Sequence, residues 1–403
     1  MNGGGCVKER YLVTGNEAVS LPTIRESDGG LEGFSILYMA AKGMLEIVGS
    51  PLMAPFVEID GEAVPLKDLS WMRTHYWIPS FTAWAGSVQV EGVILAPVGE
   101  RGFCYRLKAV NRDEKPHVVR YGLKGRWKQT IHSINESKPV AGEKHAYNSG
   151  WNHAFVMDMR VGVSLFAFAP IYTEQPEISR THCTYNQEQD GAVSYCLWRE
   201  ETLNPEEDDA ENFWFGVGFE EVAASTSAKE MLRQGFDEEY EKPCRWLAAR
   251  ERSAGDPKLD ELLNMNMFFS FFFGSGVTLD TEELVLVTSR SPRYYVSAAY
   301  WDRDSLLWSF PAILMTDPAY AREMLGYVFG RQGRVLNWMS FVRRFWRLPS
   351  MCRKPATGRS LRSRTSHPAW NGYSAGWPGK SIRRSRCMKR CSSPRTICVF
   401  TLT

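Results

Sequence analysis

The chain has 403 residues, 44% of them hydrophobic, and a formal net charge of +2 at pH 7. That length exceeds one ordinary core, so two or more domains are expected, and no apolar run reaches the roughly 18 residues of a membrane helix. The start, Met1-Asn2-Gly3-Gly4-Gly5-Cys6-Val7-Lys8, lacks the apolar stretch of a secretory signal, which sets the expectation of a cytoplasmic protein with no membrane partner.

From Arg10 to about Phe219, short β-rich segments alternate with Gly, Pro, Asn and Asp. Phe56-Val57-Glu58-Ile59, Asp60-Gly61 and Glu62-Ala63-Val64 read as a hairpin, because Asp-Gly supplies the positive φ angles of a tight primed turn. Val88, Val90 and Gly92 alternate with Gln89 and Glu91, the pattern of a half-buried strand. Further strands are expected at Phe103–Val110, His117–Leu123, Ala154–Met159, Val161–Ala169 and Phe213–Phe219. With almost no helical stretch between them, they predict an antiparallel sandwich rather than βαβ units. Glu206-Glu207-Asp208-Asp209 reads as a solvated acidic turn without calcium-loop spacing.

The period changes after Glu220. Ser227-x-x-Glu230 carries the capping-box signature of a helix start, and Pro243 is expected to break or kink that helix. Asp256-Pro257 sets an N-cap and first-turn proline for a helix from Lys258 to Phe273, ended by Gly274. Leu259, Leu262, Leu263, Phe268, Phe269 and Phe272 make that helix apolar on several faces, so burial on most sides is expected. A second helix should run from about Ser305 to Met315, bent at Pro311. A third should run from Pro318 to about Gln332, capped by Asp317, the two forming an αα-hairpin.

The densest chemistry lies in Ser289-Arg290-Ser291-Pro292-Arg293-Tyr294-Tyr295-Val296-Ser297-Ala298-Ala299-Tyr300-Trp301-Asp302-Arg303-Asp304-Ser305. Flat aromatic rings cover the C–H faces of sugars, while Arg and Asp make charge-assisted hydrogen bonds to ring hydroxyls. The plainer alternative is that Asp302 or Asp304 caps the following helix and Arg303 is its surface ion-pair partner. Tyr300-Trp301-Asp302-Arg303-Asp304-Ser305, followed by Leu307, Trp308 and Pro311, resembles the Trp-x-Arg-Asp segment of (α/α)6-barrel, six-hairpin glycoside hydrolases. Metal-independent α-mannosidases, glycogen-debranching glucosidases and glucoamylases are in that group. The resemblance covers about residues 256–333 and, over the β domain, is one of architecture alone. It implies a β-sandwich and helical linker ahead of a helical catalytic barrel. It also implies a sugar-binding role for Tyr300, Trp301, Asp302, Arg303 and Asp304, and hydrolysis of an α-linked oligo- or polysaccharide.

Other candidates read more plainly. Glu282-Glu283 is a solvated acidic pair. Trp84, Trp127, Trp151 and Trp214 could line a sugar site but are mostly expected in the core, and His153 is a structural residue. Nine cysteines show no completed metal-ligand set, so free thiols, no metal and no cofactor are expected.

The tail stands apart. Residues 334–403 contain sixteen Lys or Arg and no Asp or Glu, which leaves 32 basic against 46 acidic residues in 1–333, a net charge of −14. A nucleic-acid or membrane arm, a disordered tail and translation in the wrong frame all produce basic sequence. The genetic code favours the third. Taking the last base of each codon with the first two of the next, Asn337-Trp338-Met339 forces Leu-Asp, Phe345-Trp346 forces Leu, and Met351-Cys352 forces Val. Permitted codons turn residues 334–352 into an amphipathic helix with an acidic start, similar to an acidic barrel helix of the same glycosidase group.

The expectation is therefore a multi-domain β + α chain. It has an N-terminal antiparallel sandwich (1–221), a helical linker (222–255), the first helices of an (α/α)6 toroid left incomplete (256–333), and a basic out-of-frame, disordered tail (334–403). An oligosaccharide or polysaccharide is the expected partner, with no nucleic acid. Glycoside cleavage needs two carboxyl groups roughly 5–9.5 Å apart across the bond, and in the resembled barrels these follow later helices. No catalytic residue is assigned, and the chain is expected to hydrolyse nothing. A non-catalytic carbohydrate-binding sandwich is the alternative.

Overall fold

In a computed structural model of the chain, the described residues are 9–38, 43–134, 136–140, 142–161, 164–170, 181–291, 298 and 304–331. The strands run β1 (Tyr11–Gly15), β2 (Val19–Arg25), β3 (Leu31–Tyr38), β4 (Gly43–Ile59), β5 (Glu62–Val64), β6 (Lys67–Thr74), β7 (Ile78–Ala85), β8 (Val88–Leu95) and β9 (Gly102–Asn111). They continue as β10 (His117–Ile134), β11 (Glu136–Pro139), β12 (Lys144–Ser149), β13 (Ala154–Val161), β14 (Ser164–Pro170), β15 (His182–Gln187), β16 (Val193–Leu203) and β17 (Asp208–Gly218).

They form two sheets. One has the order β1-β2-β3-β4-β10-β16-β15, with β5 added to β4 and β11 to β10; the other runs β12-β13-β14-β17-β9-β8-β7-β6. All these pairings are antiparallel, as the sequence predicts. The inner faces share one core. Phe34 and Leu123 of the first sheet meet Val90, Phe103 and Phe215 of the second, all fully buried, and Phe34 tilts against Phe103 at 5.5 Å. Each such side chain contributes about 1.5–3 kcal/mol by leaving water.

The local strand signals hold. Asp60 (φ 52°) and Gly61 (φ 85°) turn β4 into β5. In β8 burial alternates at Val88, Val90 and Gly92. Gly92 faces inward because the Phe81 ring opposite it in β7 occupies the side-chain space; a Cβ there would lie 2.1 Å from that ring. The acidic turn is more than solvated. Glu206 (φ 62°) pairs with Arg112, Asp208 with Lys108 at 3.3 Å, and Asp209 with Arg199 while accepting from Tyr121 Oη at 2.6 Å. Glu207 accepts from Asn204, so the turn is pinned to β9, β10 and β16 by its own charges.

The helices are α1 (Glu221–Gln234), α2 (Phe236–Ala248) and α3 (Pro257–Gly274), then the hairpin β18 (Ser275–Val277) and β19 (Leu284–Leu286). A π-helical turn (Ser305–Ser309), α4 (Phe310–Thr316) and α5 (Pro318–Arg331) complete the described elements. The expected capping box is absent: α1 starts six residues before Ser227, whose hydroxyl donates back to Ala223 O at 2.9 Å. Pro243 does not end α2 either; the break falls at Gly235 (φ 86°), a conformation open to glycine. Asp256 does cap α3, accepting from Lys258 N at 2.9 Å and Leu259 N at 3.1 Å. Asp317 caps α5 in the same way through Ala319 N and Tyr320 N.

Two further expectations are corrected. α3 buries Phe268, Phe271, Phe272 and Phe273 but leaves Leu259 and Leu262 more than half exposed. The second helix opens as a π turn, with Phe310 N bonding Ser305 O. Pro311 accounts for it, since its ring clashes with the carbonyl four residues back and widening the preceding turn moves that carbonyl away.

The chain divides into two compact units, Met1–Met324 and Leu325–Thr403. Of the second, Leu325–Arg331 at the end of α5 is described, and the basic tail lies outside the described residues. The described residues contain no closed ring of helices, so the (α/α)6 toroid goes beyond the observed fold. No described helix is long and apolar enough to cross a membrane.

Candidate functional site

The segment singled out by sequence leaves β19 and returns at the π turn, and its base is tied on both sides. Arg290 N bonds Phe273 O at 2.6 Å and Val287 N bonds Gly274 O at 2.9 Å, securing the outgoing strand to the end of α3. On the return, Ser305 Oγ lies 3.3 Å from Thr288 Oγ1, and Ser309 Oγ donates to Thr288 O at 3.2 Å. Gly274 is needed here for close approach: a Cβ would sit 2.8 Å from the Ser309 side chain.

Arg290 is the centre of this base. Its side chain is fully buried, and Nη1 donates to Asn16 O (2.7 Å), Glu17 O (3.2 Å), Phe272 O (3.1 Å) and Ser275 O (3.2 Å). Burial lowers its pKa to about 10. Asn16, also fully buried, reaches the sandwich through Pro97 O at 2.5 Å and Glu100 O at 2.9 Å, while its Oδ1 accepts from Ala18 N and Val19 N. Sandwich, α3 and loop base thus share one hydrogen-bonded node.

A second clamp is aromatic. His75 (φ 50°) and Tyr76 (φ 61°) form a tight turn between β6 and β7, closed by Trp77 N to Thr74 O at 3.1 Å. Two consecutive non-glycine residues at positive φ are strained, and contacts around them must hold the turn. His75 Nδ1 lies 2.6 Å from Glu251, and Tyr240 Oη donates to Thr74 Oγ1 at 2.9 Å. The turn delivers Trp77 onto α3, stacked on Phe272 at 5.2 Å, with its indole N–H on Gly15 O at 2.8 Å.

Tyr300, Trp301, Asp302 and Arg303 lie outside the described residues. Asp304 is described: it precedes the π turn with helical backbone angles and makes no side-chain cap hydrogen bond, whereas Asp302, the other cap candidate, lies outside the described residues. A cleft of about 180 Å³ is lined by Glu17, Gly99, Glu100, Arg101, Val277 and Thr278 among others; Asp304 does not line it. Burial pushes the Glu17 carboxyl up despite the Gly99 N–H that bonds it. A raised carboxyl suits a general acid, but Glu100 beside it is paired with Lys242 at 3.3 Å. Arg101 pairs with Glu282 at 2.9 Å, and Glu283 is exposed. The geometry there closes a seam and assembles no nucleophile with a base.

The remaining candidates divide. Trp127 and Trp214 are core; Trp84 is 41% and Trp151 90% exposed. His153 is an exposed turn residue at φ 44°. Cys104, Cys183, Cys196 and Cys244 are free thiols, and no group of metal-ligating side chains is present among the described residues. Sequence reasoning missed Asn16, Trp77 and the anchoring role of Arg290. Their partners are largely backbone carbonyls far away in the chain, which leave no local signal.

No family model matches the sequence, and no curated protein matches it. Solved structures do. A protein named as a kojibiose phosphorylase, from the human microbiome, superposes with a TM-score of 0.52 at 12% identity, over 78% of this chain and 45% of that one. The chain shares its fold over that span. Looser superpositions are found with a bacterial glucoamylase complexed with acarbose (TM-score 0.41, 10% identity, 81% of this chain and 51% of that one) and an α-mannosidase from Bacteroides thetaiotaomicron (0.36, 9%, 68% and 41%). The chain spans about half or less of the length of these three.

Proposed function

We propose that the chain is the front part of a carbohydrate-active enzyme of the six-hairpin glycosidase kind. The observation that supports this reading is the succession of antiparallel sandwich, α1–α2 and α3 in a chain that superposes over 78% of its length on the protein named as a kojibiose phosphorylase. Residues 1–221, 222–255 and 256–333 are the corresponding modules, and 334–403 is the out-of-frame replacement for the rest of the barrel. In this reading Tyr300 and Trp301 cover a sugar face, and Asp302, Arg303 and Asp304 hold its hydroxyls, on a loop whose base the Arg290 node keeps rigid. The reaction is cleavage of an α-glycosidic bond, with water or phosphate as acceptor.

The chain as written is inactive in this reading. Residues 334–403 supply no Asp or Glu, so the carboxyl pair that glycoside cleavage needs is not completed from the later part of the chain. Purified chain is assayed against aryl glycosides and oligosaccharides of α-manno and α-gluco configuration, with and without phosphate. No turnover is expected. Turnover that disappears in Asp304→Ala would make it a working enzyme. Sequencing through codons 330–340 should show where the frame changes.

A further inference from the structure

The sandwich carries an exposed aromatic feature at the turn between β12 and β13. Trp151 is 90% exposed there, the most exposed large hydrophobic side chain among the described residues. The turn beneath it is not loose. Ser149 and Asn152 are buried, and Ser149 Oγ accepts from Asn152 N at 3.2 Å. Both side chains also donate to Glu221 Oε1 at the first turn of α1, Asn152 Nδ2 at 2.5 Å. Tyr147 Oη, 3.1 Å from Glu221 Oε2 and 3.0 Å from Asp158 Oδ2, completes the frame. Burial alone would raise the Glu221 carboxyl, but these three donors outweigh it and hold it below the usual range. His153 takes a left-handed backbone (φ 44°) to finish the turn.

A buried, charge-assisted frame that holds an indole in water is a preorganised contact surface. A ligand stacking on it loses no turn entropy. The ring's surroundings select the ligand. Asn148, Gly150 and His153 are the exposed neighbours in sequence, so the indole is flanked along the turn by polar side chains and bare backbone. A protein partner needs a contiguous apolar patch of several hundred Å². A pyranose ring needs one flat aromatic face for its C–H side and polar groups at the rim for its hydroxyls.

We propose that the Ser149–His153 turn is a carbohydrate-docking platform on which the Trp151 indole stacks against one pyranose ring of an oligosaccharide. It rests on the carbohydrate-active reading but uses residues far in sequence from 300–304. Binding of maltotetraose and of an α-linked mannotetraose to the full chain is measured by calorimetry and saturation-transfer NMR. Trp151→Ala should weaken binding of the preferred sugar about tenfold, the worth of one aromatic stack, with an unchanged melting temperature. Trp151→Phe should restore most of it, and Trp84→Ala should change nothing. Undiminished binding in Trp151→Ala overturns the platform. If that binding is lost in Asp304→Ala, the sugar site at 300–304 stands without it. If the unaltered chain binds neither sugar, both readings fall together. Loss in Trp151→Ala with full binding in Asp304→Ala leaves the platform standing alone.

Discussion

The sandwich and the helical region bury their apolar residues with different completeness. In the sandwich two sheets face one another, and the inward positions of β3, β8, β9 and β17 are fully covered. In the helical region α3 is covered on the side of Trp77, Trp246 and Phe271, but its other side is open. Leu259, Leu262, Leu307, Trp308, Leu314 and Met315 are 45–61% exposed, and a groove of about 480 Å³ runs between α3 and α4. A sheet closes its core by folding back on its own partner sheet, whereas an outer helical layer depends on helices that come later in the chain. In the proposed reading, a break in the reading frame after about residue 333 would leave the first region whole and the second half-covered.

The largest expected effect lies where the two regions meet. Trp77→Ala removes the indole stacked on Phe272 and should destabilise the chain by about 3–5 kcal/mol in denaturant unfolding. If the regions were independent, the sandwich would keep its own transition and α3 alone would loosen. A single shifted transition would show that the seam makes them one cooperative unit. Arg290→Met should cost somewhat less, about 3 kcal/mol, because it leaves four buried carbonyls without their shared donor. Arg290→Lys should recover part, since all four bonds come from the one nitrogen Nη1 and an ammonium also donates from a single nitrogen, on a shorter stem. Equal stability of the Met variant would remove the node from the account of the seam.

The open face gives a smaller effect on stability and a visible one on solubility. Leu262→Glu with Met315→Glu should change unfolding free energy by no more than about 0.5 kcal/mol, because both side chains are already more than half exposed. The same pair should raise the concentration at which the chain stays monodisperse in light scattering. A large loss of stability would mean that these side chains are covered in solution.

Legibility tracks the range of the interaction. The Asp60-Gly61 hairpin, the alternation in β8 and the Asp256 and Asp317 caps depend on residues within a few positions, and all are readable in the sequence. Ser227 misleads because a capping signature counts only at a helix start, and the start is set earlier by the end of β17. The strand order is not readable: β4 pairs with β10, and β10 with β16, across long stretches of chain, and nothing local encodes that choice. At the candidate site, residue types suggest the sugar-binding chemistry of 300–304, whereas the node that anchors the loop leaves no trace in the sequence. Arg290 reaches Asn16 across 274 positions and bonds only main-chain oxygens, so no side-chain pattern announces it.

The smallest effect tests how little surface charge contributes to the closed region. His117, at the start of β10, lies 2.7 Å from Asp60 and 2.9 Å from Asp113, clipping the β4–β5 turn to the β9–β10 connection. Hydrogen bonds to these two carboxylates raise the His117 pKa above 6.5, and the same bonds lower both aspartates below 3.8. The raised imidazole stabilises the fold fully below pH 6.5 and stops doing so as pH climbs through its folded value. The depressed aspartates stabilise it above about pH 3.8 and stop as pH falls through theirs. The clip is therefore complete between those limits and opens on either side. NMR titration should place the His117 midpoint above 6.5. In His117→Gln, the Asp60 and Asp113 midpoints should return toward 3.8. High salt should shrink all three shifts, because the groups are near water. A His117 midpoint at or below 6.5 in low salt would mean that the clip is not formed in solution, and the sandwich would then owe its closure to its buried faces alone.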